Sequence, residues 1–275
     1  MMTHFATRIL NVKVRTRQIR QISNNVVVTG LGVVSPLGVG TQVSWTRLCQ
    51  GNSCATSLSE EKYSKVPSNV ACFVPRGENE TEFNIKKEFS VNDQQRMSLA
   101  MMYGLLAAKE AFSDAKWKPD GEKQKLRTGV SVGMGMVDLD YIGESYIAVK
   151  NGGRKVSPYF VPRILPNLSA GHISIAHGLM GPNHSCSTAC ATGAHSIGDA
   201  MRLIQAGVVD VMLAGGVEAC IGPLAMIGFS RARALSTKFN DSPEIASRPF
   251  DENRDGFVMG EGAGVKKWQI TVLII

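Results

Sequence analysis

The chain has 275 residues, 44% hydrophobic and 19% charged, the composition of an ordinary globular protein with room for one large domain or two small ones. Its formal net charge is +7, but Arg8, Lys13, Arg15, Arg17 and Arg20 crowd residues 1–29 and the first acidic residue is Glu60; setting those five aside leaves +2, so a nucleic-acid binder is not expected. No run of eighteen apolar residues predicts a membrane-spanning helix, and six scattered cysteines match neither a disulfide framework nor a common zinc spacing, so no bound metal is expected.

Residues 1–24, rich in arginine and free of acids, read as a mitochondrial transit peptide. Val26–Thr29 is a β-branched run that predicts a short strand closed by Gly30–Gly32. Thr41–Cys49 predicts a helix with Thr41 as its cap, and residues 60–90 predict loop. Gln95–Ala115 predicts a longer helix, with Leu99, Met102, Leu106 and Phe112 on one stripe and Gly104 as a weak point. A strand at Thr128–Val132 runs into Gly133–Met136, and a helix follows at Asp138–Val149. Pro158, Pro162 and Pro166 mark a loop before a helix at Leu168–Leu179. A short strand at His184–Ser187 leads through a tight turn into an amphipathic helix stopped by Gly207, and Val208–Ala214 is an apolar strand closed by Gly215–Gly216. Such alternation predicts an α/β domain with a mainly parallel mixed sheet flanked by helices. Neither GLGVVSPLG (30–38) nor GMGM (133–136) meets the pattern of a nucleotide-binding loop.

The turn between the strand at 184–187 and the next helix carries CSTACATGAHS, residues 186–196. This arrangement puts Cys190 at a helix N-terminus, where unpaired N–H groups converge, favour a thiolate and can hold the oxygen of a tetrahedral thioester intermediate. Ala189, Ala191 and Gly193 leave space for a substrate. No histidine is marked as its base. His172 and His177 fall on a separate helix, His184 precedes the strand, and His195 points to another face of the same helix.

Five motifs in order then resemble one family. They are GLGVVSPLG, STACATG (187–193), VMLAGGVEA (211–219), RALSTKFND (233–241) and SRPFDENRDGFVMGEGAG (247–264). Together they resemble the β-ketoacyl-[acyl-carrier-protein] synthases, and the leader resembles that of the mitochondrial type. The resemblance implies the N-terminal half, residues 25–265, of a thiolase-like fold, usually found in a homodimer. It implies a fatty-acid-synthesis acyltransferase of the mitochondrial matrix that uses no cofactor of its own, because its substrates ride on the phosphopantetheine of acyl carrier protein. Cys190 matches the nucleophile that takes the acyl chain before decarboxylative condensation with malonyl-carrier protein. Met136 matches a position lining the acyl pocket. Arg96, Arg154, Lys155 and Arg233 match basic positions that dock the acidic carrier. No nucleic acid or membrane partner is implied.

The same resemblance places the family's catalytic histidines in a second half that has no counterpart in these residues. The match stops at Val265, and residues 266–275 read as a divergent, β-prone tail. The chain alone is therefore expected to be inactive in condensation. The competing expectations are a non-catalytic splice fragment that binds partner subunits or carrier protein, and a thiolase-type enzyme, which SRPFDENRDGF disfavours.

Overall fold

A computed structural model describes residues 25–270, so the expected leader and residues 271–275 lie outside the described residues. The chain opens with β1 (Val26–Ser35), β2 (Gly38–Val39), α1 (Thr41–Cys49), β3 (Thr56–Ser57), β4 (Val70–Cys72), α2 (Ile85–Glu88), α3 (Val91–Arg96) and α4 (Leu99–Asp114). It continues through α5 (Gly121–Leu126), β5 (Thr128–Met134), α6 (Leu139–Lys150), α7 (Phe160–Ile164), α8 (Leu168–His177) and β6 (Asn183–His184). The last elements are α9 (Thr192–Gln205), β7 (Val211–Glu218), α10 (Pro223–Arg231), β8 (Met259–Gly260) and β9 (Gly262–Ile270).

Six strands form the main sheet in the order β2-β1-β9-β7-β5-β6, and β3, β4 and β8 form a smaller one. β5 pairs in parallel with β6 and β7, while β9 lies antiparallel between β7 and β1. Thus β1, β5, β6 and β7 share one direction, which is the mainly parallel mixed sheet expected. β9 crosses the domain boundary expected at Val265, because Lys266 to Gln269 continue its pairing with both β1 and β7 and Ile270 pairs with Val26.

Several expected boundaries shift, for identifiable reasons. β1 and β7 do not stop at their glycines. A Cβ on Gly30 would lie 2.1 Å from the Ala111 carbonyl oxygen, and one on Gly32 would lie 1.8 Å from that of Ala107. These glycines let α4 press on the strand backbone rather than ending the strand. Gly215 plays the same part beside Gly264 of β9, where a Cβ would stand 1.9 Å from the carbonyl oxygen. The helix expected from Gln95 begins at Leu99, because Ser98 accepts a hydrogen bond from the Met101 N–H and caps it; residues 91–96 form a separate turn of helix. Thr41 is the first residue of α1 and not its cap; its N–H is taken by Glu110 Oε1 at 2.7 Å. Pro162 sits inside the short α7, and the strand expected at 184–187 is only Asn183–His184. Asp138 caps α6 as a helix start at that residue requires, accepting from the Tyr141 N–H.

The helices divide between the two faces of the main sheet. α4 and α8 cover one face with a core of Met101, Tyr103, Ala107, Val132, Ile173 and Val265, among others, all essentially buried. Gly104 is tolerated there, since a Cβ would come within 2.9 Å of Val217 on β7. α9 lies on the opposite face, over β7 and β5, with Ala200, Ile204, Met212 and Ala214 beneath it.

Candidate active site

The Cys190 turn is built by backbone strain and small residues. Ala189 adopts φ +51°, a left-handed conformation uncommon for any residue but glycine. Residues 189–191 form a single 3-10 turn that passes directly into α9. The Ala191 N–H donates to the Thr188 carbonyl at 3.1 Å, and the Thr188 N–H donates to Thr192 Oγ1 at 2.8 Å. The base of α9 packs hard on the sheet: a Cβ on Gly133 would stand 2.4 Å from Thr192 Cγ2, and one on Gly216 3.1 Å from Gly193 Cα. The turn is therefore clamped to the ends of β5 and β7, with Cys190 carried outward as an exposed thiol.

The other cysteines contrast with it. Cys186 donates its S–H to Asp199 Oδ2 at 3.2 Å, and burial together with that carboxylate raises its pKa above the ordinary thiol value. Burial pushes Cys220 up to about 12 and also raises Cys54 and Cys72. Cys49 is exposed but ends α1, where a helix presents carbonyls rather than N–H groups. Only Cys190 combines exposure, a strained turn and the N-terminal end of a helix.

The histidine question also resolves by position. His172 and His177 sit on α8, across the sheet from α9, and burial lowers both pKa values. His177 packs on Phe112 with ring centres 4.7 Å apart. His184 is exposed on β6. His195 Nδ1 lies 2.8 Å from Thr188 Oγ1, so it braces the turn from the first coil of α9.

Met136 follows β5 and packs partly buried against the apolar cluster that includes Cys220, Ala225 and Met226. Its N–H donates to both oxygens of Glu218, at 3.2 and 3.3 Å, and the Gly135 N–H donates to Glu218 Oε2 at 3.1 Å. No motif marks Glu218 as functional; the one signal in the sequence is a carboxylate closing an apolar strand, VMLAGGVE. Burial raises its pKa from the usual carboxylate range to about 7, against the pull of the two N–H donors.

Arg96 ends α3 with its guanidinium 5.9 Å from the centre of the Tyr159 ring, which brings α3 to the segment carrying the exposed Arg154 and Lys155. Arg163 reinforces that junction by donating to the Gln94 carbonyl at 3.1 Å. Arg233 is exposed just past α10, at φ +57°. Arg96 also lines a cavity of about 580 Å3 with His172, away from Cys190.

The β-ketoacyl synthase N-terminal domain matches residues 23–266. The chain belongs to the β-ketoacyl synthase family. It is 47% identical over 242 residues to 3-oxoacyl-[acyl-carrier-protein] synthase 2 of Rhizobium meliloti, covering 87% of this chain and 58% of that protein. It is 46% identical over 271 residues to the mitochondrial 3-oxoacyl-[acyl-carrier-protein] synthase of Arabidopsis thaliana, covering 93% of this chain and 58% of the relative. Among solved structures, a β-ketoacyl synthase from Burkholderia phymatum STM815 superposes with a TM-score of 0.80 at 28% identity, over 90% of this chain and 59% of that one. A ketosynthase in complex with its type II PKS acyl-carrier protein superposes with a TM-score of 0.75 at 28% identity, over 90% of this chain and 58% of that one. The fold is thus that of the ketosynthases, and the chain spans somewhat over half the length of these relatives.

Proposed function

We propose that this chain is the nucleophile-bearing half of a mitochondrial 3-oxoacyl-[acyl-carrier-protein] synthase. The observation that carries the reading is Cys190, exposed on a strained turn at the head of α9. Its thiolate attacks the carbonyl of an acyl group held as a thioester on phosphopantetheine. The Cys190 Sγ–acyl bond forms, the donor's C–S bond breaks, and the donor thiol leaves with the proton that the cysteine gave up. The oxyanion that forms in between is proposed to be held by backbone N–H groups at the helix head other than those of Ala191 and Thr192, which donate to the Thr188 and Ala189 carbonyls; one such donor is worth roughly 2.7–4 kcal/mol in other enzymes.

Condensation requires more. The enolate left by loss of CO2 from malonyl-carrier protein needs donors aimed at it. Yet His172 and His177 are on the opposite side of the sheet, and His195 is engaged with Thr188. The chain alone is proposed to acylate and not to condense. Incubating it with acyl- and malonyl-carrier protein and following products by mass spectrometry tests both halves of this statement. The expected result is a mass adduct at Cys190 and no 3-ketoacyl product; robust product refutes the second half, and no adduct refutes the first.

Arg96, Arg154, Lys155 and Arg233 are proposed to dock the acidic carrier, and Met136 to line the acyl chain's path. The acid-free leader and the mitochondrial relative in Arabidopsis support a mitochondrial location. A homodimer, as the family resemblance implies, is the proposed assembly. A second reading, a non-catalytic subunit that binds carrier protein or partner chains, is favoured by the uncovered strip beside α9, where Val28 and Leu31 remain 38% and 37% exposed. Binding of carrier protein by a Cys190→Ala chain, without adduct formation by the unsubstituted chain, would select it.

A further inference from the structure

We propose that Glu218 is a positioning residue: it fixes the Gly135–Met136 turn, and so sets how far the acyl-lining Met136 stands from Cys190. The inference rests on the acylation reading above and names the residue that governs chain selection in it. Met134 and Val217 are register partners on the parallel strands β5 and β7, so the next residues, Gly135 and Glu218, emerge together at the same sheet edge. There the carboxylate takes the N–H groups of both Gly135 and Met136. Gly135 is the spacer on the other side: a Cβ there would stand 2.8 Å from Glu218 Oε2 and 3.1 Å from the carbonyl oxygen of Ala189, the residue before Cys190. Carboxylate, glycine and nucleophile turn are therefore stacked in contact. A displacement of any one is passed to the next.

A half-buried carboxylate is costly unless it does something an apolar side chain does not. Among the described residues Glu218 forms no ion pair within 4 Å, and burial and the two backbone donors alone shape its titration. Its hydrogen bonds go to two consecutive backbone amides, which locks a turn more firmly than packing of a side chain does. The locked turn carries Met136, whose partly buried side chain packs against the apolar cluster that includes Cys220, Ala225 and Met226 and so forms a wall there. Without the anchor, that wall gives way to longer acyl chains.

The test uses the full chain with butyryl- and dodecanoyl-phosphopantetheine as donors, reading Cys190 acylation rates by intact mass. Met136→Ala is expected to change the ratio of the two rates, which checks the pocket assignment itself. Glu218→Ala is expected to shift that ratio by about tenfold, the scale of discrimination that one apolar contact supplies. Glu218→Gln keeps an acceptor oxygen in place and is expected to restore most of it. Should Glu218→Ala lose its folded circular-dichroism signal, Gly135→Ala decides, since its methyl wedges the same contact apart. A ratio that moves in Met136→Ala but stays fixed in the Glu218 and Gly135 variants, or an equal slowing of both donors, overturns the inference. A ratio that stays fixed in Met136→Ala overturns the pocket assignment and the inference with it. No acylation of the unsubstituted chain overturns the proposed function first.

Discussion

The two faces of the main sheet are finished to different degrees. On the α4 face, Gly30 and Gly32 accept helix backbone within contact distance, and the alternate β9 residues Ala263, Val265 and Lys267 are all buried. On the α9 face, the intervening residues Gly264 and Lys266 are exposed, as is Leu31 opposite Lys266. One set of strands thus has a completed core behind it and an uncovered strip in front. The exposed Cys190 and the head of α9 lie on the unfinished side; stability is gathered on the other. Stability there comes from apolar burial at roughly 25 cal/mol per Å2, and a nucleophile sunk in such a core would be beyond the reach of any donor.

The largest test of that contrast is overpacking. Gly32→Val drives a branched side chain into the Ala107 carbonyl, and is expected to cost about 3 kcal/mol or more, seen as a lowered denaturant midpoint. A midpoint within error of the parent would mean that the α4 face is not closely packed.

Lys267 gives an effect of similar size with the opposite sign. It is 1% exposed on the closed face, its ammonium 4.7 Å from the Trp117 ring centre and donating to Gln269 Oε1. Burial pushes its pKa down to about 8, and that drop from the ordinary lysine value corresponds to about 3 kcal/mol. Because the folded chain holds this proton less tightly than the unfolded chain, the penalty is fully present below pH 8. It fades as pH rises toward the unfolded value of about 10.4. Lys267→Leu is expected to be more stable at pH 7, with the advantage shrinking by pH 10 in parallel denaturant titrations. Lys266→Leu, one residue away on the open face, is expected to leave the midpoint unchanged and to raise dye binding to exposed apolar surface.

Smaller effects refine the picture. Ser98→Ala removes the α4 cap and is expected to cost about 1 kcal/mol in the same titration. Leu31→Ser, on the uncovered strip, is expected to change stability by no more than about 0.5 kcal/mol while lowering dye binding. A Leu31 effect as large as that of Ser98 would show that the strip is already covered in solution.

Much of this organisation is legible along the chain. Asp138 announces α6, Gly178 ends α8 in a left-handed conformation, and Gly207 at φ +70° follows α9. The turn at Cys190 is also readable, as small residues followed at once by a helical pattern. The glycines of β1 and β7 mislead, because a glycine that stops a strand and a glycine that admits a helix backbone are the same letter. Residues 266–269 resemble no family motif, yet they pair as a strand with both β1 and β7, with Lys266 exposed and Lys267 buried. The roles of His195 and Glu218 are not legible locally, beyond the position of Glu218 at the end of an apolar strand, since each is defined by a partner 7 and 82–83 residues away.

The order of motifs along the chain by itself determined the family and the α/β alternation, and singled out Cys190 as the proposed nucleophile, because these depend on residue type and short spacing. Only the tertiary structure decided which face of the sheet is finished, that His172 and His177 lie across the sheet from α9, and that the Glu218 carboxylate holds the Gly135–Met136 turn. Those are properties of strand order and register, and they arise only when β9 inserts between β1 and β7 and segments far apart in sequence meet at one sheet edge.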